Sequence, residues 1–403
     1  MERPGVSELI ERQRPGFSLE QPFYRDPEIF EREMARVFTR QWLLVDHVSR
    51  IPEVGDYILF EIAGESIIVI RSDDGAVKAF FNVCRHRGSL ICNQASGNCQ
   101  RLVCKYHAWA YDLDGALVAW RHISPDLEAS EFGLHRCQVR VLEGLIFVCL
   151  SDDAPDLDAA LAAMNPYLRL QGTARSKIAH VARYPTHGNW KLAMENFLEC
   201  YHCTSSHPQY TSVNAYVRAE EHPDSNSARA FGGLRAQWAE KAESCGYITE
   251  AVRADGANGV PRFAAYRDPI REGYQTYSED GTPVAPLMGE FTEYDGGVTS
   301  MGFGYFGFVV APNDYATMFR FSPVNPDLTE VTLTWLVHEE AEEGVDYDVD
   351  RLKWMWDVTT QQDTAIIEAN GRGVASWRYQ PGPYSALEGW TNDFIRWYLA
   401  QMA

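Results

Sequence analysis

The chain has 403 residues, 45% hydrophobic and 23% charged, an ordinary globular composition with room for roughly two or three domains and sizeable cores. Its 36 Lys and Arg against 56 Asp and Glu leave a formal net charge of −20, which argues against nucleic acid and anionic membranes as partners. The opening Met1-Glu2-Arg3-Pro4 is polar and no stretch approaches the ~18 apolar residues of a membrane span, so neither a signal peptide nor a span is expected and the default location is cytoplasmic. Nine cysteines, an odd set in a long chain, predict mostly reduced core thiols rather than a secreted disulfide framework, unless metal binds them.

Asp26-Pro27-Glu28 supplies an N-cap, a proline at the first helical position and an early acid, and predicts a helix reaching about Gln41 with Phe30, Met34, Val37 and Phe38 on its apolar side. From Trp42 to Leu150 the texture is that of short strands, such as 57–62, 66–71 and 77–82, separated by turns at 52–55, 63–64 and 73–75. A polar segment at 151–158 reads as a linker. A helix over 157–170 and a strand over 178–184 follow, then a helix beginning near Asn189. Residues 220–297 are rich in Gly, Asp, Ser and Pro with poor periodicity, which predicts long loops with short helices. Strands at 302–311, 315–323 and 330–338 form an antiparallel meander. A long helix over 346–370, capped at Asn370-Gly371, and a last helix over 392–402 complete the chain.

Two clusters of metal-ligating residue types stand out. Cys84-Arg85-His86 is followed, with seventeen residues between His86 and Cys104, by Cys104-Lys105-Tyr106-His107. Each half falls at a predicted hairpin tip, with Gly88 and Gly115 suited to tight turns. A Cys2His2 set can bind zinc, but zinc fingers pair two cysteines and then two histidines. Here the types alternate, which suits a Rieske [2Fe–2S] cluster with two thiolates on one iron and two neutral imidazoles on the other.

The second cluster lies in Asn189–Pro208. Trp190, Met194, Phe197 and Tyr201 repeat at helical spacing, leaving Glu195, Glu199 and His202 on another face, with His207 five residues beyond His202. Two imidazoles and a carboxylate on one face are what an O2-activating Fe(II) centre needs. Glu199, Glu195 or a distant Asp could supply the carboxylate. An isolated H-x4-H pair would otherwise read as two polar histidines at a helix end.

Together, Cys84-x-His86 and Cys104-x2-His107 in a small β-domain, followed by Asn189-Trp190-Lys191 with Glu199, His202 and His207, resemble the α subunit of a Rieske non-haem iron oxygenase. The resemblance covers nearly the whole chain. It implies an α+β fold: an N-terminal arm and helix (1–41) packed on the catalytic domain, an all-β Rieske domain (42–155), and a catalytic domain (156–403) whose antiparallel sheet wraps around helices in helix-grip fashion. Gln362-Asp363, with Arg372-Gly373 and the Pro-Gly-Pro run at 381–383, matches the family's late ligand helix, so the implied iron ligands are His202, His207 and Asp363. Cys84, His86, Cys104 and His107 are the implied cluster ligands. Glu199 takes the family's bridging position, joining a catalytic-site histidine to His86 or His107 of a neighbouring subunit in a head-to-tail homotrimer. A Glu there is similar to the branch that oxidises quaternary ammonium compounds of the carnitine and betaine type.

The implied activity is that of a terminal oxygenase. It takes NAD(P)H electrons through a separate flavin and iron–sulfur reductase, and uses O2 to hydroxylate a small organic substrate, with oxidative N-demethylation or C–N cleavage of a betaine-like compound as the favoured outcome. Phe303, Tyr305, Phe308, Trp335, Tyr210 and Tyr216 are candidate pocket aromatics, suited either to cation–π contact or simply to the core. The competing readings are an oxygenase of aromatic rings, an electron carrier whose second domain binds no iron, and a zinc-stabilised binding module.

Overall fold

The computed structural model describes residues 5–254 and 261–403. The expectation for Met1–Pro4, and the part of the loop expectation that falls on 255–260, lie outside the described residues. The chain forms two compact units. Phe38–Pro155 is one; the other joins the described residues up to Val37 with Asp156–Ala403.

In the smaller unit a seven-stranded antiparallel sheet includes Asp56–Ile62, Glu65–Arg71 and Val77–Phe81. The first two pair in register Ile62↔Glu65 across Ala63-Gly64, both with positive φ (54° and 78°). That is the two-residue turn whose twist matches flanking strands. A separate three-stranded sheet of Leu102–Val103, Ala110–Tyr111 and Leu117–Ala119 carries the second Cys/His loop.

The larger unit is built on another seven-stranded antiparallel sheet, in spatial order Ser176–Thr186, Leu328–His338, Ala316–Asn325, Phe308–Ala311, Gly297–Phe303, Phe263–Pro269, Val252–Ala254. The expected strand over 302–311 is therefore two strands, parted by a turn in which Gly304 has φ 67°. The expected loop region contains a helix, Asn226–Ser244. Only Trp238 and Ala242 of that helix are buried, so its sequence carries little apolar periodicity.

Helix Val349–Val374 packs along Ser176–Thr186. Tyr184 donates to Asp357 Oδ1 at 2.6 Å, and the Gly188 backbone presses so close that a Cβ there would meet Ile367 Cγ2 at 2.7 Å. Gly371 lies inside this helix, 3.2 Å (to an added Cβ) from the His187 carbonyl. Its role is close approach rather than the expected cap.

The helix expected from Asn189 runs only over Trp190–Phe197. Asn189 caps it by accepting from Lys191 N at 3.1 Å. Lys191 is fully buried and paired to Glu33 of the N-terminal arm at 2.5 Å, while Trp190 Nε1 and Tyr398 OH also donate to Glu33. A buried ion pair whose remaining lone pairs are occupied in this way meets the condition for surviving removal from water.

Candidate metal centres

Both Cys/His loops in the smaller unit have one backbone design. Cys84 N donates to Ser89 O and Gly88 N to Cys84 O; Cys104 N donates to Trp109 O and Ala108 N to Cys104 O. Each turn closes through a left-handed residue, Gly88 (φ 75°) or Ala108 (φ 58°), the second at some steric cost. Cys84 and Cys104 are each 2% exposed, and the His86 and His107 rings lie 4.7 Å apart.

His86 Nδ1 is buried without a hydrogen-bond partner, and burial pushes the Cys84 thiol up. A buried ring nitrogen and neighbouring buried thiols are unfavourable alone and satisfied by a bound cationic cluster. The donor set therefore fits a Rieske cluster. Two neighbours were not anticipated from the sequence: Trp109 stacks on His86 at 4.8 Å, and Tyr111 OH lies 3.4 Å from Cys84 Sγ while accepting from Arg85 N.

In the larger unit, Glu199 and His202 do not share a helix face as expected. The helix ends at Phe197, and Tyr201, expected on the apolar face, is 55% exposed. The four-residue turn Cys203–Ser206 then leads to His207, and helix Pro208–Val213 begins immediately after it. The departure from the helix nevertheless brings the imidazoles together, His202 Nε2 to His207 Nε2 at 3.1 Å. Asp363 Oδ1, from the long helix, lies 2.9 Å from His207 Nε2 and 3.3 Å from His202 Nε2. That oxygen is buried yet makes no aligned hydrogen bond to either ring. Two imidazole nitrogens and a carboxylate oxygen within 3.3 Å of one another, the oxygen buried without an aligned partner, is an arrangement a metal ion satisfies.

The surrounding groups set the tautomers. Glu199 Oε1 is 2.6 Å from His202 Nδ1 and its other oxygen accepts from the Tyr201 and His202 amides. Gln362 Oε1 is 2.9 Å from His207 Nδ1, and its amide is oriented by donating to Gln209 Oε1 at 2.9 Å. With each Nδ1 carrying the proton, each Nε2 presents its lone pair to the centre. Burial pushes the His202 pKa down, but Asp363 and Glu199 outweigh it and raise it to about 9. The same two carboxylates would also stabilise a metal cation at this point. Glu195, the third carboxylate considered, faces away and accepts from Tyr24 and Tyr384.

Sequence reasoning noted Gln362 only as the neighbour of Asp363, without its contact to His207, and missed Gln209 and Asn196, whose amide lies 3.3 Å from His202 Nε2. Each is a common polar residue without a spacing signature. It also missed that Cys200 and Cys203 are bonded to each other; the other seven cysteines form no disulfide.

Residues 174–403 match the model of the ring hydroxylating alpha subunit (catalytic domain) and residues 41–138 that of the Rieske [2Fe-2S] domain. The chain is 36% identical to the glycine betaine monooxygenase oxygenase subunit of Chromohalobacter salexigens, over 98% of this chain and 88% of that protein. It belongs to the Rieske non-haem iron oxygenases, as an α subunit. The Pseudomonas aeruginosa glycine betaine monooxygenase oxygenase subunit is 34% identical, over 99% and 92% of the two chains. The solved structure of the quaternary ammonium Rieske monooxygenase CntA with L-carnitine superposes with a TM-score of 0.71 at 19% identity, covering 100% of this chain and 99% of that one. As a Rieske oxygenase the protein uses a [2Fe–2S] cluster and a mononuclear iron, receives electrons from a reductase and consumes O2. Among the described residues no helix is long and apolar enough to cross a membrane.

Of the expected pocket aromatics, Phe303 packs on Phe263, Tyr305 on Phe394 and Trp397, Phe308 on Phe197, and Trp335 on His180. Those four serve the core. Tyr210 instead belongs to a ring cluster with Tyr277 at 6.4 Å and Trp356 at 5.8 Å; Phe319 lies 4.9 Å from Trp356. Trp356 is two helical turns before Asp363 on the same face, and its Nε1 is buried without a partner.

Proposed function

We propose that this Rieske oxygenase oxidises an N-methyl group of a small quaternary ammonium carboxylate of the betaine type. The observation that carries the reading is the aromatic cluster of Tyr210, Tyr277, Trp356 and Phe319, attached directly to the elements that bear His207 and Asp363. Aromatic faces attract a desolvated trimethylammonium group by ~1–2 kcal/mol each. The unpartnered Trp356 N–H is available to the substrate's carboxylate. The full-length relatives named for glycine betaine point the same way.

His202, His207 and Asp363 are the proposed iron ligands; Cys84, His86, Cys104 and His107 are the proposed cluster ligands. Bound there, the cluster would supply electrons one at a time and the iron would supply the site of O2 activation. Glu199 and Gln362 hold the Nδ1 protons and so keep both ring orientations fixed, and the aromatic cluster places one N-methyl group toward the ligand face. Hydroxylation at that carbon gives a hemiaminal, which collapses to the tertiary amine and formaldehyde.

Glu199, 11% exposed, is further proposed to reach a Rieske histidine of a neighbouring copy in a head-to-tail homotrimer, with the chain divided into arm (1–41), Rieske (42–155) and catalytic (156–403) parts. The reductase is proposed to be a flavin and iron–sulfur protein drawing on NAD(P)H.

Aerobic turnover with a surrogate reductase, NADH and a panel of betaines and aromatic acids tests the reading. Formaldehyde released in step with substrate demethylation supports it. Ring hydroxylation of the aromatic acids with no formaldehyde from any betaine would reverse it in favour of a ring oxygenase.

A further inference from the structure

Cys200 and Cys203 are joined in the turn that carries Glu199 and His202, with Tyr201 and His202 enclosed between them. Cys203 is 5% exposed. Its Sγ and a nitrogen from each of His202 and His207 all lie within 4.8 Å of one another, close enough to serve one metal ion. Cys200 is only half-buried, beside the exposed Tyr201. Its sulfur accepts from Tyr216 OH at 3.7 Å, and Tyr216 OH is 2.7 Å from Tyr210 OH in the aromatic cluster. One sulfur thus faces the metal donors while the other belongs to a half-buried residue beside Tyr216.

We infer that Cys200–Cys203 is a reversible redox-modification site that sets how many protein donors the mononuclear metal site presents. The inference rests on His202, His207 and Asp363 being its ligands. With the bond closed, both sulfurs are occupied and the site offers two imidazoles and one carboxylate, the open arrangement of a catalytic centre. A dithiol reductant opens it. One reductant thiol attacks Cys200 Sγ and forms a mixed disulfide, its second thiol displaces Cys200 and closes the reductant's own disulfide. The protein has then gained two electrons and two protons as two thiols. Peroxide reverses the step, taking those electrons and protons to form two waters.

Opening adds the Cys203 sulfur as a fourth donor. Four protein donors with one soft sulfur describe a closed structural site that favours zinc over an O2-reactive iron. Reduction therefore shifts the site from an iron centre with open positions toward a zinc-holding one.

The test uses the purified holoenzyme. Iodoacetamide labelling with peptide mass spectrometry, before and after treatment with a resin-bound phosphine that is filtered off, should leave Cys200 and Cys203 unlabelled at first and both labelled afterwards. Zn(II) is then added and its loss to a chelator followed by elemental analysis. Reduced wild type and untreated Cys200→Ser, whose Cys203 sulfur is free, should lose zinc about tenfold more slowly than oxidised wild type and Cys203→Ser.

Labelling of both cysteines without reduction, or equal zinc loss from Cys200→Ser and Cys203→Ser, overturns the inference. Asp363→Ala separates this from failure of the ligand reading. If the ligands are misassigned, Asp363→Ala leaves metal content unchanged; if only the redox site is wrong, Asp363→Ala loses metal while the two cysteine variants behave alike.

Discussion

Asp363 Oδ1 stands 2.9 Å from His207 Nε2, although one lies on the long helix Val349–Val374 and the other in the non-helical junction before Pro208–Val213, far apart in the chain. The neighbouring Gln362 explains the precision, since its side chain holds the other nitrogen of the same ring. Adjacent residues on one helix thus address both faces of His207, one supplying a carboxylate to the centre and one fixing the tautomer. The close approach of Gly188 to Ile367 sets the distance of that helix from the histidine segment.

Gln362→Leu should therefore weaken iron binding roughly 10–100-fold, the usual effect of losing an orienting partner, while the visible absorption of the cluster stays unchanged. Chelator competition followed by iron analysis measures it. Equal retention in wild type and variant would remove Gln362 from the account.

The same relationship shows what the sequence could convey. The paired Cys/His loops and the H-x4-H spacing are local, so both were legible, as was the antiparallel meander with its polar turns. The end of the metal helix at Phe197 was not, because the apolar repeat continues to Tyr201, a residue that the turn leaves exposed. Helix Asn226–Ser244 escaped because so few of its side chains are buried. Asp363 was assigned through resemblance; nothing local distinguishes it from any helix-surface acid. Gln362, Asn196 and the aromatic cluster become meaningful only once the long helix is packed on the sheet.

Glu33→Ala should destabilise the larger unit by about 3–5 kcal/mol, since it leaves the Lys191 ammonium buried without its partner. Glu33→Leu combined with Lys191→Met should recover part of that loss, because neither charge of the pair remains, while the Trp190 and Tyr398 donors lose their acceptor. Guanidinium titration of the three proteins decides it; a double variant as unstable as Glu33→Ala would contradict the desolvation argument.

The buried Glu195 carboxyl predicts a pH dependence. Burial pushes its pKa up to about 7, against the lowering effect of hydrogen bonds from Tyr24 and Tyr384 and of the Lys191 charge. The folded chain therefore holds this proton between about 4.5 and 7 where the unfolded chain has released it, so its stabilising contribution is lost as pH rises through 7. Relative to wild type, Glu195→Gln should gain about 3 kcal/mol between pH 4.5 and 8. Parallel stability profiles for the two proteins would contradict this.

Trp356→Leu should raise KM for a betaine substrate roughly 5–30-fold, the equivalent of the ~1–2 kcal/mol of a cation–π contact, with kcat changed far less. An unaltered KM would move the trimethylammonium site away from Tyr210 and Trp356. Glu199→Gln should keep both metal centres and lose turnover at least about tenfold; turnover at the wild-type rate would exclude a bridging role.

The most direct test is metal analysis of the purified protein and of Asp363→Ala, combined with cluster absorption. Two separate iron centres in one chain predict about three irons and two acid-labile sulfides per wild-type chain, falling to about two irons in Asp363→Ala with the cluster absorption intact. Two irons in both proteins, or zinc in place of iron with no cluster absorption, would contradict it.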